Sequence, residues 1–319
     1  MPPGARVEKA TASGEVGLAS RPERAGICCP AVTEGLELLA DGTGSRLRLG
    51  DGRSLGFREH GDPSGKPLLW FHGTPASRLW PVPDEAAVGA AGVRLIVTER
   101  PGYGISDFQP NRRVSDWPRD VAALADALGL DSFAIAGSSG GGPYVAACAC
   151  ALPDRVRAAA MMGVAAPLDA PGVRDGMTLR RRVLYSLMPY APHFAPLFKL
   201  MGPAGVDGAM TADVPDADRR ILERIHEPYL ESKREAFREG PRGFAHDLAL
   251  AARPWGFPLD AIRVPVHVWH GELDVSTPPA MARCLAAAMP TSRLRFFPGV
   301  GHFIAYAVWG EILAELVRV

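Results

Sequence analysis

The feature that most restricts how this chain can fold is an alternation of short apolar runs with helical patterns. Between two of the runs, Val121, Leu124, Ala125 and Leu128 have the i, i+3, i+4 and i+7 spacing of one helix face. Short apolar runs separated by helices are typical of a parallel sheet that is covered on both sides. The sequence therefore predicts an α/β fold. The apolar runs occupy residues 67–71, 93–97, 132–136, 156–164, 264–269 and 294–297.

Three segments lie outside this alternation. A hairpin is predicted where residues 47–49 and 55–58 flank the turn Gly50-Asp51-Gly52. Residues 167–259 contain no clear strand and carry Met and aromatic side chains among Pro, Gly and charged residues, which predicts a helical insertion. Residues 1–35 mix charge, Gly and Pro without an apolar stretch, so we expect a flexible leader and no secretory signal. The expected domains are the leader at 1–35, an α/β core at 36–166 and 260–319, and a helical cap at 167–259.

Composition limits the classes of partner. The chain has 35 Lys and Arg against 35 Asp and Glu, and this net charge of zero gives no electrostatic indication of a nucleic-acid or anionic-membrane partner. No run of about 18 apolar residues is present, so no membrane span is predicted. The five cysteines have no metal-ligand spacing such as Cys-x-x-Cys, and a chain of this size needs no disulfide framework. We therefore expect incidental thiols in a reducing compartment and a cytoplasmic location.

The sharpest local motif is Gly137-Ser138-Ser139-Gly140-Gly141, between an apolar run and a helical stretch. It fits G-x-S-x-G, the pattern in which a nucleophilic serine occupies a strained turn between a strand and a helix. Gly137 and Gly141 are the elbow positions that must lack side chains, because strand and helix nearly touch there. The pattern predicts Ser139 as a nucleophile and the Gly140 N–H as an oxyanion donor.

The motif has two other interpretations, a turn without chemistry and a nucleotide-binding loop. A Gly-rich turn without chemistry would have the same composition, since Gly and Ser are common turn residues. A nucleotide-binding loop is disfavoured because neither G-K-[ST] nor G-x-G-x-x-G is present. In addition, Met161-Met162-Gly163 stands about 20 residues further on, where a ribose-binding acid belongs.

A serine nucleophile of this kind needs an acid and then a histidine later in the chain. Two loops that follow apolar runs supply them, at residues 270–274 (H-G-E-L-D) and 298–302 (P-G-V-G-H). Both loops lie beyond the carboxyl ends of parallel strands, at the same edge as Ser139. His302 is the expected base, and the first loop offers Glu272 or Asp274 as the acid. A metal site is disfavoured there, because strand alternation places His267 and His270 on opposite faces.

A second oxyanion donor and a substrate pocket are also expected. Residues 71–75 (F-H-G-T-P) follow the strand beside the elbow, and the Thr74 N–H is the simplest second donor. Residues 100–104 (R-P-G-Y-G) are expected to brace the same rim. The apolar residues of the insertion are spaced too irregularly for one helix face, which predicts an apolar roof above Ser139. The predicted pocket residues are Ser138, Phe194, Phe198 and Met201.

Five motifs occur together in this chain: F-H-G-T-P (71–75), R-P-G-Y-G-I-S-D (100–107), G-S-S-G-G-G-P (137–143), H-G-E-L-D (270–274) and G-H-F (301–303). This set resembles the α/β-hydrolase superfamily. The resemblance covers the chain from about residue 36 onward, except that the insertion matches only in position and helical character. It implies an α/β-hydrolase fold with an eight-stranded, mostly parallel sheet, helices on both faces and an antiparallel second strand. It also implies a helical cap between strands six and seven.

The resemblance also implies roles for individual residues. Ser139 corresponds to the nucleophile, His302 to the base and Asp274 to the orienting acid. The backbone N–H groups of Thr74 and Gly140 correspond to the oxyanion donors. Asp169, just past the sixth strand, is an alternative position for the acid.

The predicted function is a serine hydrolase that cleaves a carboxylic ester, lactone or related acyl compound through an acyl-enzyme. The expected partner is a small molecule with an apolar moiety, and no cofactor or metal is required. The serine elbow differs from the Asp-nucleophile epoxide hydrolases and haloalkane dehalogenases, and the Ser-Ser pair differs from the Ser-Trp-Gly of prolyl aminopeptidases. The alternatives are a C–C bond hydrolase or cofactor-free haloperoxidase with the same triad, and a ligand receptor or non-hydrolytic cyclase with low turnover.

Overall fold

The computed structural model describes residues 35–318, which contain one mixed β-sheet. The expected leader lies outside these residues apart from Gly35, as do Cys28 and Cys29. The strands are β1 (Leu36–Leu38), β2 (Ser45–Arg48), β3 (Ser54–Gly61), β4 (Lys66–Phe71), β5 (Val93–Thr98), β6 (Phe133–Ser138), β7 (Val156–Met162), β8 (Val266–Gly271) and β9 (Ser292–Phe297). Their order across the sheet is β1-β2-β3-β5-β4-β6-β7-β8-β9.

The expected count of eight strands is wrong by one. The additional strand, β1, has only three residues and pairs antiparallel with β2, with Leu36 opposite Leu47. Three residues are too few to produce a periodic signal in the sequence. Of the other eight strands, the second, β3, is antiparallel to its neighbours β2 and β5, and the strands from β4 to β9 pair in parallel. The α/β-hydrolase topology implied by the sequence is therefore present.

Both faces of the central sheet are buried. In β4, Leu69 and Phe71 belong to one apolar cluster, whereas Leu68 and Trp70 belong to another. This division follows the two-residue period of a strand, and it requires helices on both sides. The helices are α1 (Glu85–Ala90), α2 (Trp117–Ala127), α3 (Gly142–Ala151), α4 (Leu179–Leu187), α5 (Ala195–Thr211), α6 (Asp216–Ala236), α7 (Arg242–Ala251), α8 (Pro279–Ala288), α9 (Ile304–Ala307) and α10 (Trp309–Val317).

The segment between β7 and β8 contains α4 to α7 and no strand, which agrees with the helical insertion expected from the sequence. The cap boundaries at 167 and 259, and the role of a cap, remain predictions. Helix α5 is interrupted at Gly202, which has φ 64° and ψ 177° and precedes Pro203. This kink is one reason why the apolar residues of the segment show no single helical period. No helix among residues 35–318 is long and apolar enough to cross a membrane.

Candidate active site

Strand β6 leads directly into the turn that carries Ser139. The backbone of Ser139 has φ 51°, in the left-handed region that residues with a side chain rarely adopt. A Cβ at Gly141 would lie 2.2 Å from the carbonyl oxygen of Phe71. A Cβ at Gly137 would lie 2.9 Å from Val145 Cγ2 on the following helix. Both elbow positions therefore need glycine, because strand and helix approach each other closely on either side of the serine.

Loops after β8 and β9 bring Asp274 and His302 together. His302 Nδ1 lies 2.8 Å from Asp274 Oδ2. The other carboxylate oxygen accepts hydrogen bonds from the backbone N–H groups of Ser276 at 2.8 Å and Thr277 at 2.9 Å. These bonds orient the carboxylate, and the carboxylate in turn favours the ring tautomer that carries its proton on Nδ1. The Nε2 atom is then left as an acceptor.

The charges of this pair stabilise each other. Burial alone would raise the pKa of the Asp274 carboxyl, but the facing His302 ring and their hydrogen bond hold that pKa below its usual value. Burial also opposes a charge on His302. The Asp274 carboxylate nevertheless raises the pKa of the ring above its usual 6.5, with a smaller contribution from Asp218. The ring can therefore take up a proton and remain stabilised as an imidazolium.

Asp218 on α6 holds the histidine loop from the inserted segment. Its carboxylate accepts hydrogen bonds from the backbone N–H of His302 at 2.9 Å and of Phe303 at 3.0 Å. Asp218 is completely buried. A Cβ at Gly301 would lie 2.2 Å from Asp218 Oδ2, so only glycine allows the carboxylate to reach this backbone. By contrast Asp169, the alternative acid, is exposed in a turn.

The two expected oxyanion donors are neighbours. Phe71 at the end of β4 pairs with Gly137 at the end of β6, which brings the loop after β4 beside the elbow. A Cβ at Gly140 would lie 3.4 Å from the backbone nitrogen of Thr74. The backbones of Gly140 and Thr74 are therefore close together beside Ser139.

A buried ion cluster, which was not predicted from the sequence, lies beneath the loop that carries Thr74. We call it the Asp247 cluster: Asp247 on α7 with Arg100, Arg112, Tyr103 and Tyr144. One carboxylate oxygen accepts from Arg100 Nε at 2.7 Å and the Tyr103 hydroxyl at 2.9 Å. The other accepts from Arg112 Nη2 and, at 2.6 Å, from the Tyr144 hydroxyl. Burial alone would raise the pKa of Asp247, but the two guanidinium groups hold it well below its usual value.

Arg100 connects the Asp247 cluster to the oxyanion loop. Its Nη1 donates to the carbonyl oxygen of His72 at 2.5 Å, and its Nη2 donates to that of Gly73 at 3.2 Å. The Gly73 carbonyl and the Thr74 N–H belong to the same peptide group. A cation at the oxygen therefore polarises the N–H toward a developing anion. The expectation that residues 100–104 brace this rim agrees with these contacts.

A cavity of about 220 Å³ is lined by Ser139, Gly140 and His302 together. Three of the expected pocket residues line it, namely Ser138, Phe198 and Met201. The fourth expectation, Phe194, is wrong, because this residue is not part of the cavity wall and is 37% exposed. Phe194 precedes α5 as its N-cap with non-helical backbone angles, so the helical spacing that would align it with Phe198 does not apply to it.

Two cations also line the mostly apolar cavity. Lys233 Nζ lies 2.9 Å from Asp207 Oδ1, and burial lowers the pKa of this lysine, although Asp207 opposes the shift. Arg181 donates from Nε to Asp213 at 3.1 Å. Neither cation was predicted from the sequence, since charged residues in helices usually form a solvated face. Within the described part of the chain, no three His, Cys, Asp or Glu side chains are grouped as a metal site would require.

Comparison with known proteins agrees with this architecture. Residues 66–183 match the family model of the alpha/beta hydrolase fold. A thermophilic esterase from Thermogutta terrifontis has a similar structure, with a TM-score of 0.62 and 24% identity over 86% of this chain and 98% of that one. The chain has the α/β-hydrolase fold, and the match over residues 66–183 supports its place in the α/β-hydrolase superfamily.

Curated members of the α/β-hydrolase superfamily with similar sequences differ in activity. A 2-hydroxymuconate semialdehyde hydrolase from Pseudomonas putida is 26% identical over 255 residues, which cover 78% of this chain and 86% of the relative. A non-heme haloperoxidase from Rhodococcus erythropolis is 23% identical over 284 residues, which cover 84% and 96%. Together with the fold, these similarities support a hydrolase of this superfamily and do not specify its substrate.

Proposed function

We propose that this α/β hydrolase cleaves a carboxylic ester or lactone through an acyl-enzyme on Ser139. His302 is the general base, and Asp274 orients it. The observation that carries the proposal is the 2.8 Å contact between His302 Nδ1 and Asp274, beside the cavity that Ser139 also lines. Because Nδ1 donates to the carboxylate, Nε2 is available to accept the serine proton.

The reaction follows from these positions in two halves. Ser139 attacks the carbonyl carbon while His302 takes the hydroxyl proton, and the imidazolium then protonates the departing alkoxide. Water enters in place of the alcohol, His302 removes its proton, and the acid leaves as Ser139 is regenerated. Asp274 stabilises the imidazolium in both halves without itself becoming protonated.

The negative charge that develops on the substrate oxygen requires donors that are already in place. We assign this role to the backbone N–H groups of Thr74 and Gly140. Arg100 supports the assignment, because its contact with the Gly73 carbonyl strengthens the Thr74 N–H as a donor. In a site that excludes water, such fixed donors contribute more than they would in solution.

The cavity wall favours a substrate with an apolar acyl or alcohol moiety. The segment from α4 to α5 contributes Leu184, Met188, Phe198 and Met201 to the wall. A mostly apolar pocket with few polar groups binds apolar moieties and uses the polar groups for orientation. We therefore expect medium-chain or aromatic esters to be cleaved with a higher kcat/KM than acetates.

A chain-length series of p-nitrophenyl esters, run with a matched pair of variants, tests this proposal. Phe198 lines the cavity and Phe194, four residues earlier, does not. Phe198→Ala should change the KM ranking among acyl chains more than it changes Tm, while Phe194→Ala should leave the ranking as in the wild type. A flat series in the wild-type enzyme, or equal shifts in both variants, would contradict the assignment of the pocket.

A second candidate is a C–C bond hydrolase, which is supported by the similarity to 2-hydroxymuconate semialdehyde hydrolase. Such a reaction would use the same three residues, so only a substrate survey separates the two. Turnover of 2-hydroxymuconate semialdehyde without turnover of any ester or lactone would favour it. Halogenation activity would point to the haloperoxidase relative. Covalent labelling by a fluorophosphonate without turnover of any substrate would favour a receptor or cyclase.

A further inference from the structure

Exposed apolar side chains are concentrated on one segment of the inserted helices. Eight of the eleven large apolar side chains that are exposed among residues 35–318 lie between Leu179 and Met201. Two of them, Leu179 and Leu200, are 79% and 85% exposed. We call this surface the 179–201 face. Apolar side chains scattered singly over a surface are ordinary, but a concentration of this kind marks a site of contact with a partner.

Helix α4 carries a regular row of these exposed apolar side chains. Leu179, Val183 and Leu187 are spaced by four residues, so they form one row along the helix, and all three are exposed. The inner side of the same helix combines polar and apolar groups, because Arg181 and Tyr185 are buried there and Leu184 lines the cavity. Arg181 reaches Asp213, and the Tyr185 hydroxyl donates to the carbonyl oxygen of Ser276 at 2.7 Å. Helix α4 therefore directs a row of apolar side chains outward, at positions where an ordinary surface helix carries polar ones.

The 179–201 face is continuous with the wall of the cavity. Met201 is 36% exposed and also lines the cavity, and Met188 and Phe198 line it from the same segment. An apolar molecule held at this face would thus lie next to the route into the cavity.

The segment carries only positively charged Lys and Arg side chains, although the chain as a whole is neutral. Between Asp175 and Asp207 there is no Asp or Glu, and there are four Lys or Arg residues. Of these, Arg181 is buried and Arg180 contacts Asp213 at 2.8 Å, whereas Arg182 and Lys199 are exposed among the apolar side chains. Exposed apolar side chains interspersed with cations are typical of segments that lie in the headgroup region of an anionic bilayer.

We propose that the 179–201 face docks this protein on an anionic lipid bilayer. Its apolar side chains enter the boundary between headgroups and acyl chains, while Arg182 and Lys199 contact lipid phosphates. The docking does not depend on the hydrolase reaction proposed above. If both are correct, an apolar ester dissolved in the bilayer reaches the cavity without crossing water.

A second copy of the chain fits this face less well. A symmetric dimer places the same patch on both partners. The cations Arg182 and Lys199 of each copy would then lie against a patch of the same charge, and the segment contains no acidic residue that could offset the repulsion. Lipid phosphates supply the missing negative charge.

Sedimentation with sucrose-loaded vesicles tests the docking, using the Ser139→Ala protein so that no lipid is consumed. We expect binding to phosphatidylglycerol vesicles that exceeds binding to phosphatidylcholine vesicles and weakens as salt is added. Leu179→Ser combined with Leu200→Ser should reduce partitioning by roughly tenfold or more. Leu38→Ser is the matched control, because Leu38 is 76% exposed on β1, outside the segment. Arg182→Glu combined with Lys199→Glu should remove the preference for the anionic lipid.

Three outcomes would overturn the proposal. The first is no sedimentation with phosphatidylglycerol vesicles, and the second is an equal loss of binding in Leu38→Ser. The third is a dimer, measured by light scattering, that the double leucine variant dissociates, which would assign the face to a second copy. Failure of the hydrolase proposal is distinguishable, because vesicle binding by a protein without turnover of any ester would refute only the reaction.

Discussion

Asp218→Asn tests how helix α6 supports the proposed catalytic histidine. The buried carboxylate accepts two backbone hydrogen bonds, from His302 and Phe303. Asparagine has nearly the same shape but offers one oxygen, so one of the two N–H groups faces an NH₂ group and loses its partner. An unpaired buried polar group costs about 1–3 kcal/mol, and we expect the free energy of unfolding to fall by that amount.

The same substitution should change the pH dependence of activity. His302 must be neutral to accept the serine proton, so kcat/KM falls as the pH drops through the pKa of the ring. Asp274 and Asp218 raise that pKa, while Arg181 lowers it. Loss of the Asp218 charge therefore moves the acid limb of the profile to lower pH. We also expect kcat to fall by up to about 100-fold, because small displacements of a catalytic group are that costly.

The measurements are urea unfolding and pH–rate profiles with a p-nitrophenyl ester, and Asp216→Asn is the control. Asp216 lies in the same helix turn, but its side chain is 84% exposed and forms an ion pair with Arg219 at 3.5 Å. We expect the control to match the wild type in both measurements. A wild-type acid limb in Asp218→Asn, together with wild-type kcat, would refute the coupling between α6 and the histidine loop.

Four further substitutions test the elbow and the acid. Ser139→Ala should lower kcat by roughly 10⁴-fold or more and abolish fluorophosphonate labelling, whereas Ser138→Ala should do neither, and equal losses would reject the elbow assignment. Asp274→Asn should retain the near-UV circular dichroism of the wild type but lose about 10⁴-fold in kcat through the wrong histidine tautomer, so unchanged kcat would speak against this acid. Gly141→Ala should lower the free energy of unfolding by about 1–3 kcal/mol, since its Cβ would lie 2.2 Å from the Phe71 carbonyl oxygen, and a wild-type Tm would show that the backbone adjusts without cost.

The central strands could be predicted closely because a strand buried on both faces is an apolar run with defined ends. The run at 67–71 became β4, Lys66–Phe71, and the run at 93–97 became β5, Val93–Thr98. The edge of the sheet could not be predicted in the same way. Strand β1 has three residues, which carry no measurable period, and its pairing partner becomes evident only in three dimensions.

The same distinction applies to the site, where residues in local motifs were predictable and residues on distant helices were not predicted. Ser139, Asp274 and His302 stand in local motifs after strands, so position in the chain was enough to suggest them. Asp218 gave no signal, because acids are common in the first turn of any helix, where they interact with the helix dipole. Asp247 did give one, as a lone acid in the apolar sequence G-F-A-H-D-L-A-L-A, which indicates a buried partner.

The contacts of Asp218 and Asp247 decide where this chain can be recombined with a homologue. Grafting a foreign insertion in place of residues 163–265 would remove both acids at once, and Arg100 and Arg112 would remain buried without a counter-ion. Removal of one partner from a buried pair typically costs about 3–5 kcal/mol, a large part of the stability of an ordinary domain. A crossover placed after α5, which exchanges only residues 179–211, would leave both acids native. It must keep Asp207 and Arg181, because these residues pair with Lys233 and Asp213 outside the exchanged segment. New specificity is therefore best introduced through α4 and α5, while α6 and α7 are inherited together with the catalytic loops.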